Sequence, residues 1–235
     1  MQREIIAEIE SYQKIINGAR AVLENYHPHI PIKPEWPTVN LADATELISG
    51  FAFKSSNMVE NAKDTTYLPV VKIGNVGRNG TLDLAETQFH KFDDSLSRFL
   101  LKVGDIVVAM TGATVGKVAR VNKSNLLLNQ RVGALTAKSG TSQSYIYFLM
   151  LDRSFYDFCQ RTAGGGAQGN IAPKDIGTYK IPLPTLAIQQ SIVAEIEAEQ
   201  ALVAANRELI TRFEAKIQAT LARVWGEAEP QAVEA

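Results

Sequence analysis

The stretch that decides the fold occurs twice in the chain. Residues 2–10 read QREIIAEIE and residues 189–197 read QQSIVAEIE, so the two align without a gap. The match continues along both copies: Gln13 falls on Gln200, Ile16 on Val203, Arg20 on Arg207, Leu23 on Ile210 and Tyr26 on Phe213. Matched residues at matched spacing rarely arise by chance. They indicate that the two ends of the chain are repeats of one element.

Apolar residues recur every seven residues in both copies, the spacing of a helix that buries one face against another helix. The first copy has Ile9, Ile16 and Leu23 at these positions, and the second has Ile196, Val203, Ile210, Ile217 and Val224. A second set lies between them, with Ile5, Tyr12, Ala19 and Tyr26 in one copy and Ile192, Glu199, Asn206, Phe213 and Thr220 in the other. Polar residues in such a seam lower stability but fix register.

The seven-residue period alone also fits two amphipathic helices that pack on a globular core. The equivalence of the two copies favours pairing of the helices with each other. Because a long middle stretch separates them, we expect an antiparallel pair within one chain.

Proline-rich segments mark the edges of that middle stretch. Residues 27–37 contain four prolines and cannot be helical, and Ile181–Pro184 stops the middle stretch before the second helix. The chain is therefore divided into a first helix at 1–27, a connector at 28–36, a domain at 37–184, a second helix at 185–226 and a frayed tail at 227–235.

The middle domain has a mixed pattern. β-Branched and apolar runs predict strands over residues 67–73, 105–110, 116–121 and 132–136, and one helix is predicted over residues 144–161. No alternation of strands and helices of the kind that builds parallel sheets appears. We expect a globular α+β domain with a mainly antiparallel sheet.

Charge separates the middle from the ends. The whole chain has 24 Lys and Arg against 25 Asp and Glu. Residues 36–184 hold 16 against 12, a net charge of +4, and the two ends hold 8 against 13, a net charge of −5. A mildly basic middle suits contact with phosphate, although it is far from the charge of a strong nonspecific DNA binder.

The sequence lacks the patterns of several protein classes. Cys159 is the single cysteine, which excludes an internal disulfide and a cysteine cluster for zinc. No apolar run is long enough to span a membrane, and the start is charged, so we expect a soluble cytoplasmic protein.

Catalytic and metal-binding patterns also find no support. Residues 111–118 superficially suggest a phosphate loop, but the first glycine and the hydroxyl residue after Lys117 are missing. His27 and His29 lie among prolines with no third ligand nearby, so they read as connector residues and no metal site is expected. No catalytic triad or pair of acids stands out, and we expect no catalytic residue.

Polar residues in or beside predicted turns are the remaining candidates for function. Arg, Lys, Asn and Gln discriminate base edges in the major groove of DNA. Each such residue is by itself more often a solvated turn residue. The candidate DNA-binding residues are Lys54, Ser55, Lys72, Asn75, Arg78, Lys91, Thr111, Thr114, Lys117, Gln130, Arg131, Gln168 and Asn170. We expect Lys117 to contact phosphate and Arg131 to read a base.

Several motifs together resemble the target-recognition domains of type I restriction-modification specificity subunits. The motifs are Gly50–Phe53, Gly104–Val107, Thr111–Lys117, Leu128–Val132, Gln168–Ile171 and Ile181–Pro184, followed by Gln189, Gln190, Ile192 and Val193. The resemblance covers nearly the whole chain.

The resemblance implies a non-catalytic subunit that reads half of a split DNA target. Its helices would act as a ruler and dock adenine-N6 methyltransferase subunits and a restriction and translocase subunit. S-adenosylmethionine, ATP and magnesium would belong to those partners, and this chain would bind no cofactor. The alternative is a coiled-coil adaptor or structural protein without specific DNA binding.

One feature departs from the family pattern. The usual subunit has two recognition domains and two long helices, whereas this sequence has one domain with a helix at each end. Two interpretations stay open: a half-subunit that forms a homodimer, or a chain cut within the central helix of a longer subunit.

Overall fold

The computed structural model describes residues 2–77, 79–164 and 169–225. They form two compact units. The first unit contains the chain up to Pro28 together with the part from Ala194 onward, and the second contains His29–Val193.

Helices and strands are numbered here in chain order. The helices are α1 Gln2–Asn25, α2 Leu41–Ala44, α3 Gln143–Leu151, α4 Arg153–Thr162, α5 Pro173–Ile176 and α6 Leu186–Trp225. The strands are β1 Thr38–Asn40, β2 Thr45–Ser49, β3 Tyr67–Val71, β4 Phe89–Lys91, β5 Leu100–Leu101, β6 Ile106–Ala109, β7 Val118–Arg120, β8 Leu126–Leu128, β9 Val132–Ala137 and β10 Lys180–Pro182. Short 3-10 turns occur at Ser55–Asn57, Ile73–Asn75, Asp94–Phe99 and Gly112–Thr114.

In the first unit, α1 and α6 pair in opposite directions. Side-chain contacts join them, including Glu8 with Arg223 at 3.3 Å, Tyr12 with Phe213 at 5.3 Å between ring centroids, Arg20 with Glu214 at 2.6 Å, and Tyr26 with Glu199 at 3.0 Å. Between Glu8 near the start of α1 and Tyr26 just after its end, the partner on α6 changes from Arg223 to Glu199, so the two helices run in opposite directions. The helices therefore form the predicted antiparallel coiled coil.

Burial along the two helices follows the seven-residue pattern. Ile16 and Ala19 are buried on α1, with Ile5, Ile9, Tyr12, Leu23 and Tyr26 half-buried. On α6, Ile196 and Thr220 are buried, and Val203, Asn206, Ile210, Phe213 and Ile217 are half-buried. Two seam positions differ, since Glu199 and Val224 are exposed. Glu199 instead accepts a hydrogen bond from the hydroxyl of Tyr26.

The repeat is visible in the contacts themselves. The sequence alignment places Tyr12 on Glu199 and Tyr26 on Phe213. Exchanging the two copies therefore converts the contact of Tyr12 with Phe213 into the contact of Glu199 with Tyr26, and both contacts occur. The pair is thus pseudo-symmetric, with an aromatic contact in one half and a polar contact at the equivalent place in the other.

The second unit contains two four-stranded sheets. One has the order β2-β9-β6-β7 and is antiparallel throughout. The other has the order β4-β3-β8-β5 and contains one parallel pair, β3 with β8. A third, two-stranded sheet pairs β1 with β10, which brings the two ends of the domain together. The prediction of a mainly antiparallel α+β domain is confirmed.

Apolar side chains of the two larger sheets share a core. Val71, Leu101, Leu126 and Leu128 of one sheet lie in the same buried cluster as residues of β6, β7 and β9. Every residue of β6 and β8 is buried, so these central strands read as unbroken apolar runs. A smaller cluster contains Phe53, Val70, Leu96 and Leu127.

The single helix predicted over residues 144–161 is wrong, because the segment forms two helices, α3 and α4. Asp152 has an extended backbone with φ −63° and ψ 143°, and its carboxylate accepts a hydrogen bond from the backbone N–H of Ser154. An N-cap of this kind satisfies a free N–H at the start of a helix and begins a new one. The strand predicted over residues 67–73 likewise ends at Val71, where a 3-10 turn follows.

A buried glutamine fixes the start of α6 within the second unit. Gln189 is fully buried, and its Oε1 accepts a hydrogen bond from the backbone N–H of Ser142 at 2.8 Å. Its Nε2 donates to the carbonyl of Pro184 at 2.7 Å. Both ends of the amide are therefore used, which explains why a polar side chain is tolerated inside.

Candidate nucleic-acid interface

Four loop segments meet where β6 ends and β9 begins. Backbone hydrogen bonds join them: Met110 donates to Arg131 at 3.0 Å, Gly112 to Gly169 at 2.8 Å, Ile171 to Met110 at 2.9 Å and Gln130 to Phe51 at 2.9 Å. We call residues 50–55, 110–117, 129–131 and 169–171 the loop face. Because these hydrogen bonds join the segments through the backbone, the backbones that carry the side chains are held at fixed relative positions.

The loop face gathers eight of the predicted DNA-binding residues. Lys54, Ser55, Gln130, Arg131 and Asn170 are exposed, and Thr111, Thr114 and Lys117 are half-buried. The four segments contain three basic residues and no acidic residue. A surface with this charge attracts phosphate, and its exposed Gln, Asn and Arg have the groups needed to contact base edges.

Gln130 and Arg131 lie on a tight turn between β8 and β9. The side chain of Asn129 accepts a hydrogen bond from the backbone N–H of Arg131 at 3.2 Å, and the carbonyl of Asn129 accepts from Val132 at 2.9 Å. The side chains of Gln130 and Arg131 on this turn are exposed. A planar guanidinium in this position can donate two parallel hydrogen bonds.

The glycine-rich turn before Lys117 packs against a helix. Gly116 has φ +81°, and a Cβ added there would lie 2.7 Å from the Cβ of Cys159 on α4. Only glycine fits both the left-handed backbone and the close approach. The left-handed backbone of Gly116 thus lets the turn pack against α4. The next residue, Lys117, lies at the edge of the loop face.

Two further candidates, Lys72 and Lys91, lie outside the loop face. The side chain of Lys72 donates a hydrogen bond to Gln88. Lys72 nevertheless lies next to the loop face, because the preceding residue, Val71, accepts a hydrogen bond from Asn129 at 3.1 Å. Lys91 is exposed and pairs across from Tyr67, at the opposite end of β3.

Asn75 is turned into the protein. It is 6% exposed; its Oδ1 accepts from the N–H of Lys72, and its Nδ2 donates to the carbonyl of Asp83 and to the hydroxyl of Thr87. Because all these hydrogen bonds are internal, we correct its interpretation: Asn75 joins Lys72 to Asp83 and Thr87 and is not available to a base. Arg78 and Gln168, the other two predicted residues, lie outside the described residues.

Two residues that the sequence reasoning did not select belong to the loop face. Phe51 is 38% exposed, and its backbone N–H donates to Leu128 at 2.8 Å. At Gly50, an added Cβ would lie 2.2 Å from the carbonyl oxygen of Leu128, so this segment can approach β8 only with glycine. The motif Gly50–Phe53 was noticed as a family feature, but nothing in it showed that Phe51 is exposed.

Other groups with chemical potential have ordinary structural environments. Cys159 is buried, and this burial raises the pKa of its thiol to about 12, which keeps it protonated and unreactive at neutral pH. Within residues 2–77, 79–164 and 169–225, no group of three or more His, Cys, Asp or Glu is arranged to hold a metal ion. None of the helices in those ranges is long and apolar enough to cross a membrane.

Comparison of the sequence with known protein families identifies the class of protein to which this fold and surface belong. The sequence profile of the type I restriction modification DNA specificity domain matches residues 33–214, most of the chain. The chain belongs to this family.

Two curated relatives are themselves specificity subunits. The type I restriction enzyme MjaVIII specificity subunit of Methanocaldococcus jannaschii is 25% identical over 183 residues, which cover 75% of this chain and 42% of that protein. The StySPI specificity subunit of Salmonella potsdam is 24% identical over 189 residues, covering 76% of this chain and 40% of that protein. The matched part is thus about two fifths of each relative.

Solved structures show the same fold at lower identity. The HsdS subunit from Thermoanaerobacter tengcongensis aligns with a TM-score of 0.59 at 19% identity, over 97% of this chain and 59% of that chain. The type I system S subunit from M. genitalium aligns with a TM-score of 0.55 at 12% identity, over 93% and 57% of the two chains.

Proposed function

We propose that this chain is a DNA-recognition subunit of a type I restriction-modification complex and reads one half of a split target. The observation that carries the proposal is the loop face, where exposed Lys54, Gln130, Arg131 and Asn170 converge without an acidic neighbour in the same segments. Phosphate contacts position a protein on DNA, and contacts to base edges give specificity. The loop face offers side chains for both.

Lys117 and Arg131 are assigned different roles. Lys117 is half-buried at the edge of the loop face, where a compact ammonium suits one phosphate. Arg131 is exposed beside Gln130 on a turn, where a planar fork suits the two acceptors of guanine.

The test measures binding to a target duplex and a scrambled duplex at several salt concentrations, with the chain assembled with its methyltransferase subunit. The target is first read by methylome sequencing of cells that express the parent system. Lys117→Ala should weaken binding to both duplexes and reduce the salt slope by about one unit. Arg131→Ala should lose about 1–3 kcal/mol at one base position.

Lys102 provides a matched control, since it is an exposed lysine that precedes β6, away from the loop face. Lys102→Ala should bind both duplexes like the unaltered chain. If Lys117→Ala and Arg131→Ala also bind like the unaltered chain, the loop face is not the DNA surface.

The coiled coil supports a second part of the proposal, docking of methyltransferase subunits. Ile15, Val22, Leu202 and Leu209 each precede a seam residue by one position, and they are 38%, 42%, 70% and 37% exposed. The repeat places Ile15 on Leu202 and Val22 on Leu209. In an antiparallel pair, these positions of both helices lie on the same side. We call the four residues the apolar strip.

Two ion pairs across the seam support this placement of the strip. Glu8 and Arg223, which have the same position in the heptad, pair at 3.3 Å. Arg20 and Glu214, on the opposite side of the seam, pair at 2.6 Å and make that side charged. The strip exposes on the order of a few hundred Å², below the ~800 Å² per partner of a stable complex. It therefore suits a partner that also makes contacts elsewhere.

Substitutions on the strip test docking. Leu202→Ser should weaken assembly with the methyltransferase subunit about ten-fold or more, as loss of a central apolar contact does at other interfaces. Ile6→Ser, at a 55% exposed position on the opposite side, is the control and should assemble normally. Isothermal titration calorimetry measures both. Equal affinities for the two variants would contradict docking on the strip.

The catalytic steps of the complex, methyl transfer and DNA cleavage, are assigned to the partner subunits. S-adenosylmethionine would bind the methyltransferase subunits, and ATP and magnesium the restriction and translocase subunit, with no cofactor on this chain. Highly purified chain should therefore transfer no methyl group from S-adenosylmethionine to target DNA until the methyltransferase is added. Methyl transfer by the chain alone would overturn this assignment.

Two arrangements of the recognition subunit remain as alternatives. A half-subunit would form a homodimer and read a symmetric split target, whereas a piece of a longer subunit would read one half of an asymmetric target. Sedimentation of the chain with the methyltransferase subunit measures how many copies each complex contains. Two copies of this chain per complex support the first arrangement, and one copy supports the second.

A further inference from the structure

Phe51 is an exposed aromatic side chain in the middle of a polar surface. Among the aromatic residues described in the recognition domain, it is the most exposed, at 38%. Its chain neighbours on the loop face include Lys54, and Gln130 donates a hydrogen bond to its carbonyl. Exposed aromatic rings near polar contacts are enriched where proteins bind partners.

The backbone of Phe51 is fixed relative to the base-reading turn. Its N–H donates to Leu128 at 2.8 Å, and its carbonyl accepts from Gln130 at 2.9 Å. Phe51 also forms a parallel bridge with Asn129. The backbone of Phe51 is therefore held beside the turn that carries Gln130 and Arg131.

The ring is also partly immobilised by packing. Its centroid lies 5.0 Å from that of Phe53 in an edge contact and 5.5 Å from that of Phe99. Phe53 belongs to the smaller buried cluster, against which Phe99 also packs. Because one part of the ring is held and another is exposed, contact with a ligand costs little further side-chain entropy.

The chemistry of the major groove limits what such a ring can recognise. Most groups on base edges are hydrogen-bond donors or acceptors, which a phenyl ring cannot satisfy. The 5-methyl group of thymine is the apolar exception, and apolar side chains contact it. From these observations, and resting on the proposed function, we infer that Phe51 contacts a thymine methyl in the half-target next to the bases read by Gln130 and Arg131.

The test is a double-mutant cycle between the protein and the DNA. Each thymine of the target half, on both strands, is replaced in turn by uracil, which lacks only the methyl group. The affinity of the chain assembled with its methyltransferase subunit should fall about four-fold at one thymine, since one buried methylene-sized group is worth about 0.8 kcal/mol. Phe51→Ala should bind the normal target about ten-fold more weakly and show no further loss at that thymine.

Controls separate a lost contact from a damaged fold. Val103→Ala removes an apolar side chain that is 64% exposed and precedes β6, away from the loop face, and it should retain the thymine dependence. If Phe51→Ala unfolds, Phe51→Leu keeps apolar packing with a shorter reach. Its loss at the same thymine should then be less than about two-fold, because the methyl is less completely covered.

Each outcome decides the inference. It is overturned if no thymine matters to the unaltered chain, or if the variants depend on the same thymine as strongly as the unaltered chain does. A loss of affinity in Phe51→Ala without any thymine dependence would instead indicate a wedge between base steps. The proposed function fails separately, if the unaltered chain does not distinguish the target from a scrambled duplex.

Discussion

The coiled coil and the loop face are held together in different ways. In the coiled coil, side chains make the contacts, as in the ring contact of Tyr12 with Phe213 and the ion pair of Arg20 with Glu214. In the loop face, backbone groups make them, as in the hydrogen bonds from Met110 to Arg131 and from Gly112 to Gly169. A side chain of the seam therefore contributes to stability, whereas a side chain of the loop face can change while its scaffold stays.

The largest loss of stability is expected from a substitution that disrupts the backbone of the loop face. Gly50→Ala places a Cβ 2.2 Å from the carbonyl oxygen of Leu128 and 2.4 Å from that of Asn129, so the segment must move away from β8. We expect a loss of more than about 3 kcal/mol in the free energy of unfolding. Urea unfolding followed by circular dichroism measures it.

Gly18→Ala is the matched control in the coiled coil. An added Cβ at Gly18 meets nothing within 4 Å, and the residue lies inside α1. Alanine there should raise stability by about 0.5–1 kcal/mol, because it lowers the entropy of the unfolded chain. Unchanged stability of Gly50→Ala would show that the loop face tolerates backbone displacement.

A smaller loss in the free energy of unfolding is expected from a substitution in the seam of the coiled coil. Ile16 is 1% exposed and Ile15 is 38% exposed, so these neighbouring isoleucines differ mainly in burial. Ile16→Ala should cost about 2–3 kcal/mol, and Ile15→Ala less than about 1 kcal/mol. Equal losses in the same unfolding experiment would contradict the assigned seam.

Exposed side chains of the loop face should contribute little to stability. Arg131→Ala keeps the backbone hydrogen bonds to Asn129 and Met110, and it removes an exposed side chain. Its unfolding free energy should stay within about 0.5 kcal/mol of the unaltered chain. A larger loss would mean that the side chain holds the turn, and its effect on DNA binding could not be assigned to a base contact.

The smallest effect is a pH dependence within the coiled coil. Burial, the hydrogen bond to Glu199 and the negative charge of Glu199 together raise the pKa of Tyr26 to about 12. The folded state therefore keeps the phenol proton above pH 10, where the unfolded chain releases it. This contribution to stability is complete below pH 10 and is lost as the pH rises toward 12.

Comparison with Tyr26→Phe isolates that contribution. Other tyrosines and lysines also ionise in this range, so the informative quantity is the difference in unfolding free energy between the two proteins. The advantage of the unaltered chain should shrink between pH 8 and pH 11. A constant difference would show that the hydroxyl of Tyr26 does not hold its proton more tightly in the folded state.

The sequence predicted the coiled coil well because a seven-residue period is a local pattern. It predicted the middle domain less completely. Strands such as β5, with two residues, and β8, with three, are too short to show a period. The sequence does not predict the break at Asp152, although Asp152 and Ser154 form a capping signal, because apolar residues both before and after residues 152–154 favour one helix.

The candidate site was only partly predictable for a related reason. Turn residues of the right type are visible in a sequence, but their convergence depends on how the sheets bring loops together. Asn75 and Asn170 are the same residue type in predicted turns, yet one is buried in internal hydrogen bonds and the other is exposed on the loop face. Phe51 was missed because exposure of an aromatic residue follows from packing against Phe53 and Phe99.

The most direct test of the central claim, that the loop face reads bases, is the methylome of cells that express the parent system with Arg131→Ala in place of the unaltered chain. Arg131→Ala should broaden the methylated motif at one position of the half-target that this chain reads, because one guanine contact is lost while the scaffold remains. In a homodimer of half-subunits, the equivalent position of the other half should broaden as well. A methylated motif that stays as strict at every position would contradict the account.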